Sequence, residues 1–96
     1  MQFLVIAEVR DTIVGDAVGR LRQDVGKAIQ RITASGKLRA GGVLAGRRAP
    51  FFLLEVDSSE ELMELLGSEL IDHANCDVHP VLSFESLGKF FAEHPV

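Results

Sequence analysis

Three ionisable side chains have the types and the spacing of an acid–base site. Asp77 and His79 stand two residues apart in an alternating segment, so a β-strand there would carry both side chains on one face. A carboxylate beside an imidazole favours the charged ring, and such a pair can accept and return a proton. Glu8 is the one charged residue of another alternating segment, Gln2–Val9, where apolar surroundings would make it a proton acceptor. The sequence therefore predicts Glu8, Asp77 and His79 as candidate catalytic residues.

Each of these residues also has a purely structural interpretation. Glu8 could lie at the end of its strand, reach water and pair with an arginine, while Asp77 and His79 could form a partly solvated pair at the rim of a dimer. Two adjacent arginines in a turn could hold the carboxylate of a small acid by parallel hydrogen bonds, or serve only to keep the loop soluble. The predicted substrate-binding residues are Arg47, Arg48 and His73.

His73, Cys76 and His79 have a spacing that suggests metal binding. If Cys76 opens a strand, its side chain and that of His79 point to opposite faces and cannot share one ion. A fourth ligand would have to be Asp72 or Asp77. The sequence therefore predicts no metal site, and Cys76 is expected to be a small buried apolar residue.

Length and composition exclude several classes of protein. The 96 residues fit one domain, 1–96, and are too few for a Rossmann or TIM-barrel unit. The net charge of −4 and the absence of Trp and Tyr argue against nucleic-acid binding. No apolar run approaches the ~20 residues that span a bilayer, no signal peptide is visible, and one cysteine cannot form an intrachain disulfide. We therefore expect a cytoplasmic protein with no nucleic-acid or membrane partner.

The hydrophobic pattern predicts the elements that would position these residues. Strands are predicted over Gln2–Val9, Lys37–Gly46, Phe51–Val56 and Cys76–Ser83. Helices are predicted over Asp16–Ser35, from a start in Asp57–Glu61 to an end or weakening at Gly67, and over Phe84–Glu93, with a loop over Ser68–Asn75. This order predicts a ferredoxin-like βαββαβ α+β fold with a four-stranded antiparallel sheet and a C-terminal helix. Pro80 predicts an edge position or a bulge for its strand, because proline lacks a donor.

One face of such a sheet is bare, because both crossing helices cover the other face. Apolar residues nevertheless alternate onto the bare face, and the mean hydropathy of +0.20 is high for a small domain. An exposed apolar patch marks an interface or a ligand groove, and a twofold dimer with facing sheets would cover it. The predicted dimer interface comprises Leu4, Ile6, Leu53, Val81, Phe90 and Phe91.

Several short segments resemble the muconolactone isomerase-like family. They are Gly36-Lys37-Leu38, the strand Phe51–Val56, Asp57–Leu62 with the following Leu65-Leu66, and Asp77-Val78 ahead of the terminal His94-Pro95. Gly36-Lys37-Leu38 with Gly41–Leu44 is also similar to the YciI-like family. The resemblance implies a dimeric α+β barrel of ferredoxin-like fold and further assembly of the dimers. It also implies a proton shift on a small lactone without a metal or an organic cofactor.

The chain departs from both families at positions that bear on activity. Leu4 and Ile6 stand where the isomerases carry polar residues, and Ile71–Asn75 is polar where their loop is apolar and aromatic. Gln23–Lys27 lacks the acidic and basic groups of the isomerase's first helix, and the YciI-like histidine of that helix is missing too. The resemblance therefore implies the fold and the assembly, and it implies no particular substrate.

Three functions follow as hypotheses. The first is a small cofactor-independent isomerase or lyase that transfers a proton on a small carboxylate or lactone. The second is a non-catalytic module that binds a small molecule in the same barrel. The third is an assembly protein whose bare face serves only dimerisation. All three have a second copy of the chain as partner, in a dimer or a higher oligomer of dimers, and the first two add a small-molecule ligand.

Overall fold

Alternating strands and amphipathic helices build a two-layer fold. The computed structural model describes all 96 residues. The elements in chain order are β1 (Gln2–Val9), α1 (Ala17–Ala34), β2 (Leu38–Val43), β3 (Pro50–Glu55), α2 (Ser59–Ile71), β4 (Ala74–Val81) and α3 (Phe84–Glu93). The four strands form one antiparallel sheet in the order β2-β3-β1-β4. This is the predicted ferredoxin-like α+β fold with an additional C-terminal helix.

The hydrophobic core lies between one face of the sheet and the helices α1 and α2. Val5, Ala7 and Val9 of β1 are buried on this face, and so are Phe52 and Leu54 of β3. The helices contribute the buried residues Leu21, Ala28, Ile32, Leu62, Leu65, Leu66 and Leu70. No polar or charged residue is buried. The packing of the helices on the sheet is therefore stabilised by the burial of apolar side chains alone.

The start of α2 is stabilised by a capping arrangement of polar side chains. The Ser58 hydroxyl accepts a hydrogen bond from the Glu61 backbone N–H at 3.1 Å, and the Glu61 carboxylate accepts one from the Asp57 N–H at 2.9 Å. This bond from Asp57 lowers the pKa of Glu61, and the Lys37 ammonium at 3.2 Å acts in the same direction. The predicted start of the helix is therefore confirmed.

The predicted loop over Ser68–Asn75 is wrong at both of its ends. Gly67 has φ 66° and ψ 172°, which kinks α2, but the helix then continues to Ile71. Strand β4 begins at Ala74, because its pairing with β1 extends to the end of that strand, where Ala74 is opposite Val9. The segment between α2 and β4 is consequently much shorter than the sequence pattern indicates.

Arg31 of α1 explains how α2 continues beyond the kink. Its guanidinium donates hydrogen bonds at 3.0–3.1 Å to the backbone oxygens of Leu65 and Leu66, which lie just before Gly67. It also donates two hydrogen bonds to the Glu69 carboxylate, at 3.0 and 3.1 Å. These bonds lower the pKa of Glu69. One arginine therefore supplies the donors that helix carbonyls lack where a helix is interrupted.

The two edge strands of the sheet differ in regularity, since β4 pairs with β1 in an unbroken register and β2 has a register shift. The predicted strand Lys37–Gly46 is shortened to Leu38–Val43, because the chain turns after it, with a hydrogen bond from the Arg47 N–H to the Leu44 oxygen. The register of β2 shifts between Leu38 and Ala40, which leaves Arg39 without a partner across the sheet. Pro80 lies in the outer strand β4, so its predicted edge position is confirmed.

Helix α3 stands apart from the two-layer body. None of its residues is buried, and 61% of Phe91 is exposed. The radius of gyration is 15.7 Å and the molecule is 57 Å long, whereas a compact chain of this length has a radius of about 12–13 Å. None of the helices is long and apolar enough to pass through a lipid bilayer. The aromatic side of the amphipathic helix α3 is therefore in contact with water.

Candidate functional site

The face of the sheet that the helices leave uncovered, here called the open face, collects most of the predicted site residues. Leu4 of β1 is opposite Leu53 of β3 and His79 of β4, while Ile6 is opposite Asp77. Directly opposed residues point to the same side of a sheet, so these side chains share one surface. By this register the open face consists of Gln2, Leu4, Ile6, Glu8, Ala40, Gly42, Phe51, Leu53, Glu55, Asn75, Asp77, His79 and Val81.

Asp77 and His79 are exposed neighbours on β4. Residues two apart on a strand are separated by about 6.5 Å, which places both side chains within reach of one small molecule. Neither side chain makes a hydrogen bond or an ion pair within the chain. Both groups are consequently free to meet a ligand, and the apolar Leu4 and Ile6 lie directly beside them.

The Glu8 carboxylate pairs with the Arg47 guanidinium, which extends from the loop between β2 and β3. The pair is half-exposed, with 51% of Glu8 and 55% of Arg47 in contact with water. The structure thus brings a predicted proton acceptor together with a predicted anion-binding residue. The same pair also agrees with the purely structural interpretation of Glu8, in which its carboxylate is in contact with water and pairs with an arginine.

Arg48 and His73 lie on the opposite side of the sheet from this group. Arg48 donates a hydrogen bond to the Ile13 oxygen at 2.8 Å and lines a groove beside α1. His73 Nε2 lies 3.6 Å from the Asp24 carboxylate of α1. Within one chain, neither side chain joins the residues of the open face.

Cys76 and His79 point to opposite faces of β4, since Cys76 is opposite the buried Ala7 and His79 is opposite Leu4. Cys76 packs against the core, and burial raises the pKa of its thiol, as does the neighbouring Asp77 carboxylate. No group of three or more His, Cys, Asp or Glu side chains is arranged to hold a metal ion.

A groove lies between α1 and the β2–β3 hairpin, and it is here called the α1 groove. Its volume is about 610 Å³, and nine of its sixteen lining residues are hydrophobic. Arg22 and Arg48 are its charged residues. The sequence pattern did not predict the groove or the position of Arg22 in its lining. The one feature of the sequence that could have indicated the groove is Gly26, a glycine inside the predicted helix next to its apolar stripe.

Comparison with known proteins bears on the fold. No protein-family model matches the chain, and no curated protein matches it in sequence. Among solved structures, the chain is similar to 5-chloro-2-hydroxyhydroquinone dehydrochlorinase from Burkholderia phenoliruptrix, in complex with 2,5-dihydroxybenzoquinone. The match has a TM-score of 0.67 and covers 88% of this chain and 97% of that chain. With 13% sequence identity, it shows that the two proteins share a fold.

Proposed function

We propose that two copies of this chain form a cofactor-independent enzyme that transfers a proton on a small carboxylate or lactone. The observation that carries the proposal is the grouping of Glu8, Arg47, Asp77 and His79 on or beside the open face, around apolar side chains. A proton shift next to a carbonyl requires a base, a group that stabilises its charged form and a cation for the substrate anion. This grouping contains all three.

A second copy of the chain would convert the open face into an enclosed site. Two facing sheets would exclude water from the apolar centre of the face and leave the ionisable groups near its mouth. Exclusion of water strengthens electrostatic interactions, which makes a charged pair more effective in the transition state. The proposed interface comprises Leu4, Ile6, Leu53 and Val81 of the sheet with Phe90 and Phe91 of α3.

In the proposed reaction His79 acts as the base. Its neutral imidazole takes a proton from the carbon next to the substrate carbonyl, and the electron pair of that C–H bond enters the conjugated system. The imidazolium then returns the proton to a carbon further along that system, which moves the double bond. Asp77 stabilises the imidazolium, and Arg47 holds the substrate carboxylate, which displaces Glu8 from part of its ion pair.

Two similarities support this proposal. The dehydrochlorinase that shares the fold acts on 5-chloro-2-hydroxyhydroquinone and is in complex with 2,5-dihydroxybenzoquinone. The fold can therefore accommodate a small oxygenated ring. The resemblance to the muconolactone isomerase-like family points to the same class of chemistry, a proton shift on a small oxygenated molecule.

The test is a kinetic study of the full chain on a panel of small unsaturated lactones and carboxylates, followed by ultraviolet absorbance. His79→Gln should lower kcat by about 100-fold or more, since general acid–base catalysis contributes about 10²–10⁴-fold. Arg47→Gln should mainly raise KM, because its role is to hold the substrate. Asp16→Asn is the control, since it neutralises an exposed carboxylate before α1.

Two outcomes would contradict the proposal. If His79→Gln retains a measured activity, the chemistry takes place elsewhere in the molecule. If no compound of the panel is turned over but one binds at the open face, the chain is a binding module without catalysis. The ion pair of Glu8 with Arg47 favours this second candidate, because the guanidinium already neutralises the carboxylate that the sequence predicts as a proton acceptor.

A further inference from the structure

The α1 groove is an apolar concavity on the side of the sheet away from the open face. Its volume of about 610 Å³ lies within the range of small-molecule pockets, about 300–1,000 Å³. Apolar side chains at its rim are in contact with water, with Ile29 39% exposed and Val43 62% exposed. Covering such surface with an apolar molecule releases water and is favourable.

One glycine in a wall of the groove leaves room for such a molecule. Gly26 of α1 lines the groove, and so does Gly41 of β2, but a Cβ at Gly41 would meet the Phe51 oxygen at 3.1 Å and Leu38 at 3.3 Å, so packing within the chain accounts for Gly41. Glycine inside a helix is less favourable than alanine, so a helical glycine is expected to have a packing reason. No atom lies within 4 Å of the position that a Cβ of Gly26 would take. Close packing within the chain therefore does not account for Gly26, and its missing side chain leaves open space.

The charge of the groove selects the kind of molecule that fits. Arg22 and Arg48 line it, and no Asp or Glu does. Neither arginine makes an ion pair, although the chain contains fourteen acidic and ten basic residues. Arg48 donates one hydrogen bond to the Ile13 oxygen, and Arg22 donates none from its side chain. Unpaired guanidinium groups beside an apolar surface favour a carboxylate, which they bind through charge-assisted hydrogen bonds.

We propose that the α1 groove binds a small apolar monocarboxylate. The hydrocarbon part lies between Val25 and Ile29 of α1 and Leu38 of β2, and the carboxylate is directed to Arg22 and Arg48. This site is separate from the open face and does not depend on proton-transfer chemistry there. The groove itself contains no Asp, Glu or His, so it binds its ligand without an acid–base group.

The experiment titrates the full chain with naphthoate and with decanoate, each compared with its neutral counterpart, naphthamide or decanol. Calorimetry gives the affinities, and backbone amide NMR shifts locate the site. Each acid should bind about tenfold or more tightly than its neutral counterpart, as one charge-assisted hydrogen bond requires. The amides of Gly26 and Gly41 should shift, and that of His79 should not. The double change Arg22→Gln and Arg48→Gln should remove the preference for the acid.

A matched pair of variants tests whether the groove is the site. Gly26→Leu places a side chain in the groove and should abolish binding. Gly19→Leu makes the same change in α1 at a position that does not line the groove, where a Cβ also meets nothing within 4 Å. Both variants replace a helical glycine, so both should stabilise α1. A loss of binding in Gly26→Leu alone is therefore due to filling of the groove.

Three results would overturn the proposal. They are equal affinity for an acid and its neutral counterpart, equal binding by the two leucine variants, and no binding of either acid at millimolar concentration. A groove covered by a second copy of the chain would produce the last result. In that case the amides of Gly26 and Gly41 would also shift when the protein is diluted, which identifies the alternative occupant.

Discussion

Replacing Phe91 of α3 by alanine should weaken self-association and leave the stability of a single chain unchanged. Phe91 is 61% exposed and no residue of its helix is buried, so the isolated chain gains little from this ring. In the proposed dimer the ring packs on the partner. The same substitution should therefore affect two measurable free energies very differently.

The size of the effect on association follows from the exposed fraction of the side chain. Full burial of a phenylalanine side chain contributes about 1.5–3 kcal/mol, so covering the exposed 61% of Phe91 contributes about 0.9–1.8 kcal/mol. A twofold dimer contains this contact twice, which gives about 1.8–3.6 kcal/mol. Phe91→Ala should accordingly raise the dissociation constant of the dimer by about 20- to 400-fold.

Sedimentation equilibrium over a range of protein concentrations measures this constant. Lys89→Ala is the control, because Lys89 lies on the charged side of α3 and has only an exposed pairing with Glu85 at 3.7 Å. We expect it to leave the dissociation constant within about twofold of that of the unchanged protein. Urea unfolding of dilute protein should give the same free energy for both variants.

Two results would refute the reasoning about α3. The first is an unchanged chain that remains monomeric at high micromolar concentration, or equal dissociation constants for Phe91→Ala and Lys89→Ala. The second is a lower free energy of unfolding for dilute Phe91→Ala, which would show that the ring packs on its own chain.

Two further predictions concern the cap that α1 provides for α2. Arg31→Gln should lower the free energy of unfolding by about 1–3 kcal/mol, because the oxygens of Leu65 and Leu66 lose charged donors. Urea unfolding measures this free energy. Arg20→Gln on the same helix is the control and should leave the free energy of unfolding nearly unchanged. Hydrogen bonds from Arg31 lower the pKa of Glu69 from its ordinary 4.5, so the ionised pair stabilises the fold above pH 4.5 and this stability is lost as the pH falls through the lowered value. Acid titration of the unfolding free energy should show a smaller loss in Arg31→Gln, and an equal loss in both proteins would contradict the assignment.

The fold could be predicted because its signals are local. A side-chain period of two places Val5 and Ala7 on one face of β1 and Leu4 on the other. Because the face with Val5 and Ala7 is buried, a shift of the strand pairing by one residue would expose them, so only one register is favourable. The end of α2 could not be predicted in the same way. Gly67 interrupts the local pattern, and the donors that sustain the helix come from Arg31, between 34 and 38 residues away in the chain.

The candidate site likewise has a part that local sequence patterns predict and a part that depends on contacts between distant residues. Asp77 and His79 share a face because of strand periodicity, which a sequence displays directly. The pairing of Glu8 with Arg47 joins residues 39 apart and depends on the reach of a hairpin loop. Arg22 has no local feature that separates it from Arg20, because its placement at the α1 groove depends on how the helix lies against the hairpin.

The two edge strands of the sheet influence the ways in which copies of the chain can aggregate. An edge strand with a free row of backbone donors and acceptors can add further strands, and repeated addition leads to amyloid-like fibres. Pro80 deprives the outer strand β4 of a donor, and the register shift at Arg39 interrupts β2 at the other edge. Growth of the sheet by edge addition is therefore hindered at both ends. In the proposed dimer the contact is between faces, and a twofold contact of that kind closes after two copies, whereas edge addition can continue without limit.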